Sequence, residues 1–133
     1  MDTKKIRVAF ICVENARRSQ MAAGFAEVFG KGQLGVYSVG SRPSSNINPL
    51  AIEVMKEKRI DLSSKRTKEL NDLPQIEMDY LVTMGYEETC PAVLSRKVLE
   101  WNIPDPKGKG IDVFRRVRHT IEDKVRTLLS EIH

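Results

Sequence analysis

The sequence predicts an α/β fold: a four-stranded, mainly parallel sheet flanked by helices on both sides, with residues 1–133 forming one domain. Three observations carry this. Strand-like apolar runs alternate with amphipathic helical stretches four times along the chain. Two of the runs, residues 6–11 and 79–84, are apolar almost throughout, as strands covered on both faces must be. The 133 residues, 41% hydrophobic and 30% charged, suffice for one core and exclude disordered, collagen-like and disulfide-stapled classes.

The elements follow in order. Ile6-Arg7-Val8-Ala9-Phe10-Ile11 is a central strand, and the polar turn after it has no hydrophobic periodicity. Met21, Phe25, Val28 and Phe29 then recur at helical spacing, which predicts a helix over residues 18–29 stopped by Gly30 and Gly32. Residues 36–39 read as a second strand running into a loop at 40–47 rich in Ser, Pro and Asn. Asn48 followed by Pro49 is a helix start, with the stripe Ala51, Val54, Met55 and Lys58 ended by Ile60. Residues 65–71 are polar with room for a short helical turn. Residues 79–84 form a third strand, and 97–101, shorter and alternating, a fourth at an edge. Phe114, Val117, Ile121, Val125 and Leu128 mark one face of a long last helix.

Charge and cysteine usage narrow the function. The net charge is +4, but 22 basic residues are interleaved with 18 acidic ones, and the cluster Arg115-Arg116-Val117-Arg118 reads as a solvated helix face. No nucleic-acid partner is expected. The apolar run at residues 8–13 is far too short to span a membrane, and nothing resembles a signal peptide. The expected setting is a reducing cytoplasm, where the two cysteines, Cys12 and Cys90, serve chemistry more readily than structure. His119 and His133 lack ligand-like spacing, and the Gly108, Gly110 pair lacks a dinucleotide pattern, so no metal or organic cofactor is implied.

In a parallel sheet the ligand site lies beyond the carboxyl ends of the strands. Three loops should meet there, at residues 12–18, 85–90 and 103–110. The first reads Cys12-Val13-Glu14-Asn15-Ala16-Arg17-Arg18-Ser19, a cysteine separated from Arg18 by five residues. So short a turn between strand and helix points the amides of Val13, Glu14, Asn15, Ala16, Arg17 and Arg18 inward, and the helix adds its positive end. Arg18 can close over a tetrahedral oxyanion with a two-point fork. The same field favours the nucleophilic thiolate of Cys12, and Ser19 is placed to donate to that sulfur. Asn15 can tie the loop through its side chain in a left-handed backbone. Glu14 must point outward, because a carboxylate inside the cradle would repel the ligand. In the third loop, Pro104 and Pro106 pin Asp105 as a general acid facing the Cys12 loop.

These residues resemble the low-molecular-weight protein tyrosine phosphatase superfamily, and within it the arsenate reductases that share its fold. The spacing Cys12-x5-Arg18-Ser19 is similar to the superfamily's nucleophile loop and Asp105-Pro106 to its acid loop. The stretches Arg18-Ser19-Gln20-Met21-Ala22-Ala23, Asn48-Pro49-Leu50-Ala51, Thr83-Met84-Gly85, Cys90-Pro91 and Phe114-Arg115-Arg116-Val117-Arg118 look like the reductases specifically. The likeness covers essentially the whole chain. It implies that a thiolate at Cys12 attacks arsenate while Asp105 assists loss of hydroxide. A second cysteine then releases arsenite, and a third closes a disulfide that thioredoxin reduces.

One position departs from that pattern. Tyr86 stands where those relatives carry a cysteine, four residues before the one matching Cys90, and a phenol forms no disulfide. Three continuations stay open: Cys90 attacks Cys12 directly, an external small thiol or glutaredoxin-like protein takes the missing role, or the chain keeps the hydrolytic chemistry of a phosphatase through a phosphocysteine. Cys90 can also be an inert residue before Pro91. Phosphatases of this fold grip a phenyl ring between aromatic side chains. Here Asp105-Pro106 is followed by Lys107-Gly108-Lys109-Gly110, and residues 40–47 contain no aromatic, which suits a bare oxyanion. Arsenate reduction is therefore the leading reading, the phosphatase the alternative, and a non-catalytic oxyanion-binding protein a third.

Overall fold

The computed structural model describes residues 5–84 and 93–132. Its elements are β1 (Ile6–Cys12), α1 (Arg18–Phe29), β2 (Leu34–Gly40), α2 (Pro49–Lys56), a 3-10 turn at Leu70–Asp72, β3 (Met78–Met84), β4 (Ser95–Trp101) and α3 (Ile111–Glu131). The four strands form one sheet in the order β2-β1-β3-β4, and every neighbouring pair is parallel. The expected four-stranded parallel sheet is what forms, and β4 is an edge, as its alternation indicated.

The sheet order places the site. β1 pairs with β2 from Ile6↔Leu34 to Cys12↔Gly40, and with β3 from Val8↔Tyr80 to Ile11↔Thr83. The chain thus leaves β1 for a neighbour on one side and comes back to a neighbour on the other. The crevice at this reversal opens at the carboxyl end of β1, where Cys12 ends the strand. The loop after β3, with Tyr86, Cys90 and Pro91, lies outside the described residues.

Alternation along β1 divides the core. Val8, Phe10 and Cys12 join α1, α2 and α3 in the larger cluster, while Ala9 and Ile11 join Val39, Met78 and Leu81 on the opposite face. Among the described residues all three α-helices thus share one face. The other is covered by Leu70 and Leu73, at the 3-10 turn, and by Val93. This refines the expectation of helices on both sides: the crossover from β2 to β3 covers its face with a short turn.

The helices obey their apolar patterns with two exceptions. Phe114, Val117, Ile121, Val125 and Leu128 of α3 are all buried, each such side chain contributing about 1.5–3 kcal/mol on leaving water. α1 is buried along most of its length, Arg18 to Ala26, so its small residues pack on several sides at once. Val28, assigned to its apolar face, is instead 53% exposed, because the last turn runs past the edge of the core. Phe29 beside it is only partly buried: its ring lies 5.6 Å from that of Phe25, with Arg126 4.1 Å from its centroid.

α2 starts as expected, with the Asn48 Oδ1 accepting from the Leu50 N–H at 2.9 Å. Its end differs. Lys58, counted in the stripe, lies beyond the helix, exposed and 3.3 Å from Glu122. The Ile60 N–H reaches back to the Met55 carbonyl and the Arg59 N–H to the Lys56 carbonyl, a closing motif that puts Arg59 at φ 61°. A side chain in that region strains the backbone by about 1–2 kcal/mol. Arg59→Gly is expected to raise stability by about 0.5–1 kcal/mol, the relief exceeding the added chain entropy, as read by urea denaturation. A loss of stability would show that the Arg59 side chain contributes more than its backbone costs.

Candidate active site

The Cys12 loop is fastened by its carbonyls. The Ser41, Arg42, Ser44 and Asn48 N–H groups donate to the carbonyls of Cys12, Val13, Glu14 and Ala16 at 3.4, 2.8, 3.0 and 3.0 Å, and the Met21 N–H takes that of Arg17. A peptide whose carbonyl points outward turns its N–H to the other side. The first turn of α1 has no side-chain cap, so its amides keep their capacity for an anion. The peptides whose carbonyls are held in this way turn the amides of residues 13, 14, 15, 17 and 18 to the side away from these bonds.

Gly40 makes this fastening possible. A Cβ there would fall 2.5 Å from the Val13 carbonyl oxygen and 2.9 Å from the Asn15 nitrogen. Only glycine lets β2 approach so closely. Sequence reading passed over this residue, although a glycine at the strand end beside the cysteine is the available signal.

Inside the loop the side chains form a directed chain. Asn15, fully buried at φ 54°, accepts at Oδ1 from the Lys68 N–H at 2.8 Å and from Gln20 Nε2 at 3.0 Å. Its Nδ2 must then donate to Ser19 Oγ, 2.6 Å away. Ser19 Oγ then lies 2.9 Å from Cys12 Sγ, within reach of donating its proton to a thiolate there. The expected roles of Asn15 and Ser19 have their geometry, and the supporting Gln20 and Lys68 are additions that only the fold reveals.

Asp105 reaches the mouth of this loop from the segment after β4. Arg17 Nε donates to its Oδ1 at 2.7 Å and Arg17 Nη2 to its Oδ2 at 3.0 Å. Arg18, 5% exposed, donates from Nη1 to the Ile103 carbonyl at 2.9 Å, with Nη2 3.6 Å from Asp105 Oδ2. Both guanidinium groups thus bridge the nucleophile and acid loops. Sequence reading placed Arg17 among the oxyanion-binding residues through its amide; its side chain is committed to Asp105. Glu14 points away from the cradle, as required, to Lys107 at 2.6 Å and Arg17 at 3.4 Å.

These contacts shift the charges. Burial alone would raise the Asp105 carboxyl, but the Arg17 hydrogen bonds and the Arg18 and Arg17 charges outweigh it and hold the group below the ordinary Asp range. The Lys107 hydrogen bond, with Arg17 behind it, lowers Glu14 against a weaker burial effect. Burial pulls the Arg17 guanidinium down, yet Asp105 and Glu14 leave it raised. Cys90 lies outside the described residues, so its distance from Cys12 is not part of this geometry.

Comparison with known proteins places this arrangement. Residues 7–133 match the low molecular weight phosphotyrosine protein phosphatases. The glutaredoxin arsenate reductase of Synechocystis is 33% identical over 129 residues, spanning 95% of this chain and 98% of that protein. Arsenate reductase 1 of Staphylococcus epidermidis is 35% identical over 133 residues, spanning 97% and 99%. The solved structure of an arsenate reductase in its phosphate-binding state superposes with a TM-score of 0.88 at 31% identity, covering 96% of this chain and 99% of that one.

Two expectations test the site's construction. Gly40→Ala should cost about 1–3 kcal/mol in urea denaturation, because the added carbon must push β2 off the loop. A folded-state carboxyl lowered as Asp105 is contributes stability that is present above its unfolded value and lost as pH falls through the lower folded one. Between about pH 5 and pH 2 the protein should therefore lose more unfolding free energy than Asp105→Asn does. Equal losses would mean that the Arg17–Asp105 pair stabilises nothing.

Proposed function

The chain belongs to the low molecular weight phosphotyrosine protein phosphatase family, and we propose that within it the protein acts as an arsenate reductase with Cys12 as its nucleophile. The observation that carries this reading is the Asn15–Ser19–Cys12 hydrogen-bond chain beside the Arg17–Asp105 pair. Thiolate attack at arsenic forms the S–As bond. The Val13–Arg18 amides and the Arg18 guanidinium take up the charge of the remaining oxygens. Asp105, once protonated, gives its proton to the departing hydroxyl, which leaves as water. Ser19 supports the sulfur before attack and again when it leaves.

The second half-reaction breaks the S–As bond. A thiolate attacks Cys12 Sγ, a disulfide forms, the bonding pair passes to arsenic, and As(V) becomes As(III) as arsenite departs. The chain has only two cysteines, so a three-sulfur relay cannot be completed internally. An external thiol therefore enters the cycle, either on Cys12 or to reduce a Cys12–Cys90 disulfide. The name of the Synechocystis relative, a glutaredoxin arsenate reductase, favours a glutaredoxin or small-thiol donor over thioredoxin. Such a supply is met in a reducing cytoplasm.

Arsenate is favoured over an aryl phosphate by the lack of aromatic residues in the loops after β2 and β4. Residues 40–47 and 105–110 contain no aromatic residue. Trp101, just before the acid loop, is 7% exposed and packs against Phe10 with ring centroids 5.7 Å apart. It is a core residue, with no face for a substrate ring.

The test is arsenite release from arsenate with thioredoxin, with a small thiol plus glutaredoxin, and with neither. Cys12→Ser should abolish turnover, Asp105→Asn should lower it about 10²–10⁴-fold, and Ser19→Ala about tenfold, the size of one hydrogen bond to a charged group. Cys90→Ser separates the routes: full retention assigns the attack to the external thiol, and loss assigns it to Cys90. Hydrolysis of an aryl phosphate with no arsenite under any reductant would overturn the reductase in favour of a phosphatase.

A further inference from the structure

The acid loop poses a problem that the reaction must solve. Asp105 has to carry a proton to serve a departing hydroxyl, yet both of its oxygens accept from Arg17 at 2.7 and 3.0 Å. Protonation removes the charge and one acceptor site, so a protonated carboxyl keeps these bonds only weakly. We propose that Arg17 is a positioning residue that locks Asp105 as a carboxylate at the mouth of the Cys12 loop, and that an entering oxyanion opens the lock and so arms its own proton donor.

The charged groups around Asp105 support this. From α1 and its N-cap come Arg17 and Arg18, the second with Nη2 at 3.6 Å. From the nucleophile loop, Glu14 meets Arg17 at 3.4 Å and is itself held by Lys107 Nζ at 2.6 Å. From its own loop, Asp105 Oδ1 accepts the Lys107 N–H at 3.1 Å. Among the described residues, then, Asp105 faces two guanidinium groups, and Glu14, the carboxylate that shares Arg17 with it, is also held by Lys107. The Arg17 side chain is 6% exposed, so it holds one arrangement and does not wander in solvent.

A doubly charged oxyanion above Cys12 draws the Arg18 guanidinium away from Asp105 and repels the carboxylate itself. Both effects weaken the lock and favour uptake of a proton by the carboxyl. With the site empty, the charged Asp105 keeps the acid loop docked. Once the site is filled, the proton becomes available where the hydroxyl departs. Arg17 thereby acts through Asp105 and need not touch the substrate.

This deepens the arsenate-reductase reading and rests on it for the reaction, but the lock itself can be measured without turnover. The Asp105 carboxyl would be followed by carbon NMR in the folded protein, Arg17→Gln and Arg17→Lys, each with and without inorganic phosphate as the probe. In the parent, Asp105 should titrate below the ordinary Asp range, and saturating phosphate should raise its midpoint by at least one pH unit, tenfold in proton affinity. In Arg17→Gln the midpoint should already be raised without phosphate and should move less when phosphate is added. Arg17→Lys should lie between the two. Phosphate should bind Arg17→Gln at least as tightly as the parent, since the lock no longer competes, while kcat for arsenite formation falls about tenfold with KM no higher.

Identical Asp105 titrations in the parent and Arg17→Gln would overturn the lock. So would phosphate binding weakened tenfold, which would make Arg17 an oxyanion ligand. Absence of arsenite in the parent, with the titrations as expected, would remove the reductase reading and leave the lock standing.

Discussion

The side-chain amide of Asn15 is the contact on which the site depends. It is fully buried, and all of its hydrogen-bonding groups have a task. Its oxygen binds the loop to the Lys68 amide and to Gln20, and its nitrogen donates to Ser19, whose hydroxyl contacts Cys12 Sγ. The left-handed backbone at φ 54° is the conformation this reach requires, and asparagine is one of the few non-glycine residues that accept it readily. A buried network of this kind is costly when incomplete and specific when satisfied. Here it holds the Ser19 hydroxyl against the sulfur.

The sheet supplies the other half of the arrangement. Because β1 lies between β2 and β3, its carboxyl end is flanked on both sides by parallel neighbours and cannot splay. Buried apolar residues on both faces hold β1 in place, so the position of Cys12 is set by the core and not by the loop. The acid loop arrives from the far edge strand, anchored by Ile103, which is 1% exposed, and by the bonds of Arg17 and Arg18. Cys12 is thus placed by packing and Asp105 by electrostatics. That difference gives the acid loop a freedom that the nucleophile loop lacks.

Much of this was legible in the residues, and what was not has physical causes. The apolar run of β1, the short turn to α1 and the Pro-Asp-Pro segment each announce a local conformation, and local conformation is what periodicity and turn chemistry encode. Cys12, Ser19, Asn15 and Asp105 were found because their chemistry depends on near neighbours or on the sheet rule for where loops meet. Arg17 was assigned only through its amide, because its partner lies 88 positions away and no local signal pairs them. Gly40 was missed for the same reason: its lack of a side chain matters only against a loop from another strand. Val28 and Lys58 continue helical patterns past the point where the core ends, and sequence spacing cannot see where neighbouring elements stop.

The way the Cys12 loop is fastened also bears on how such a protein can change. Its anchors are main-chain atoms, and the groups offered to an anion are main-chain amides. Val13 and Glu14 are only partly buried, and neither supplies a side chain to the Asn15–Ser19–Cys12 chain. Val13 can therefore vary without disturbing these contacts, whereas a change at Glu14 alters the charge beside Arg17 and Lys107. A loop fastened through its backbone can thus change the charge at its rim while its fastening stays the same.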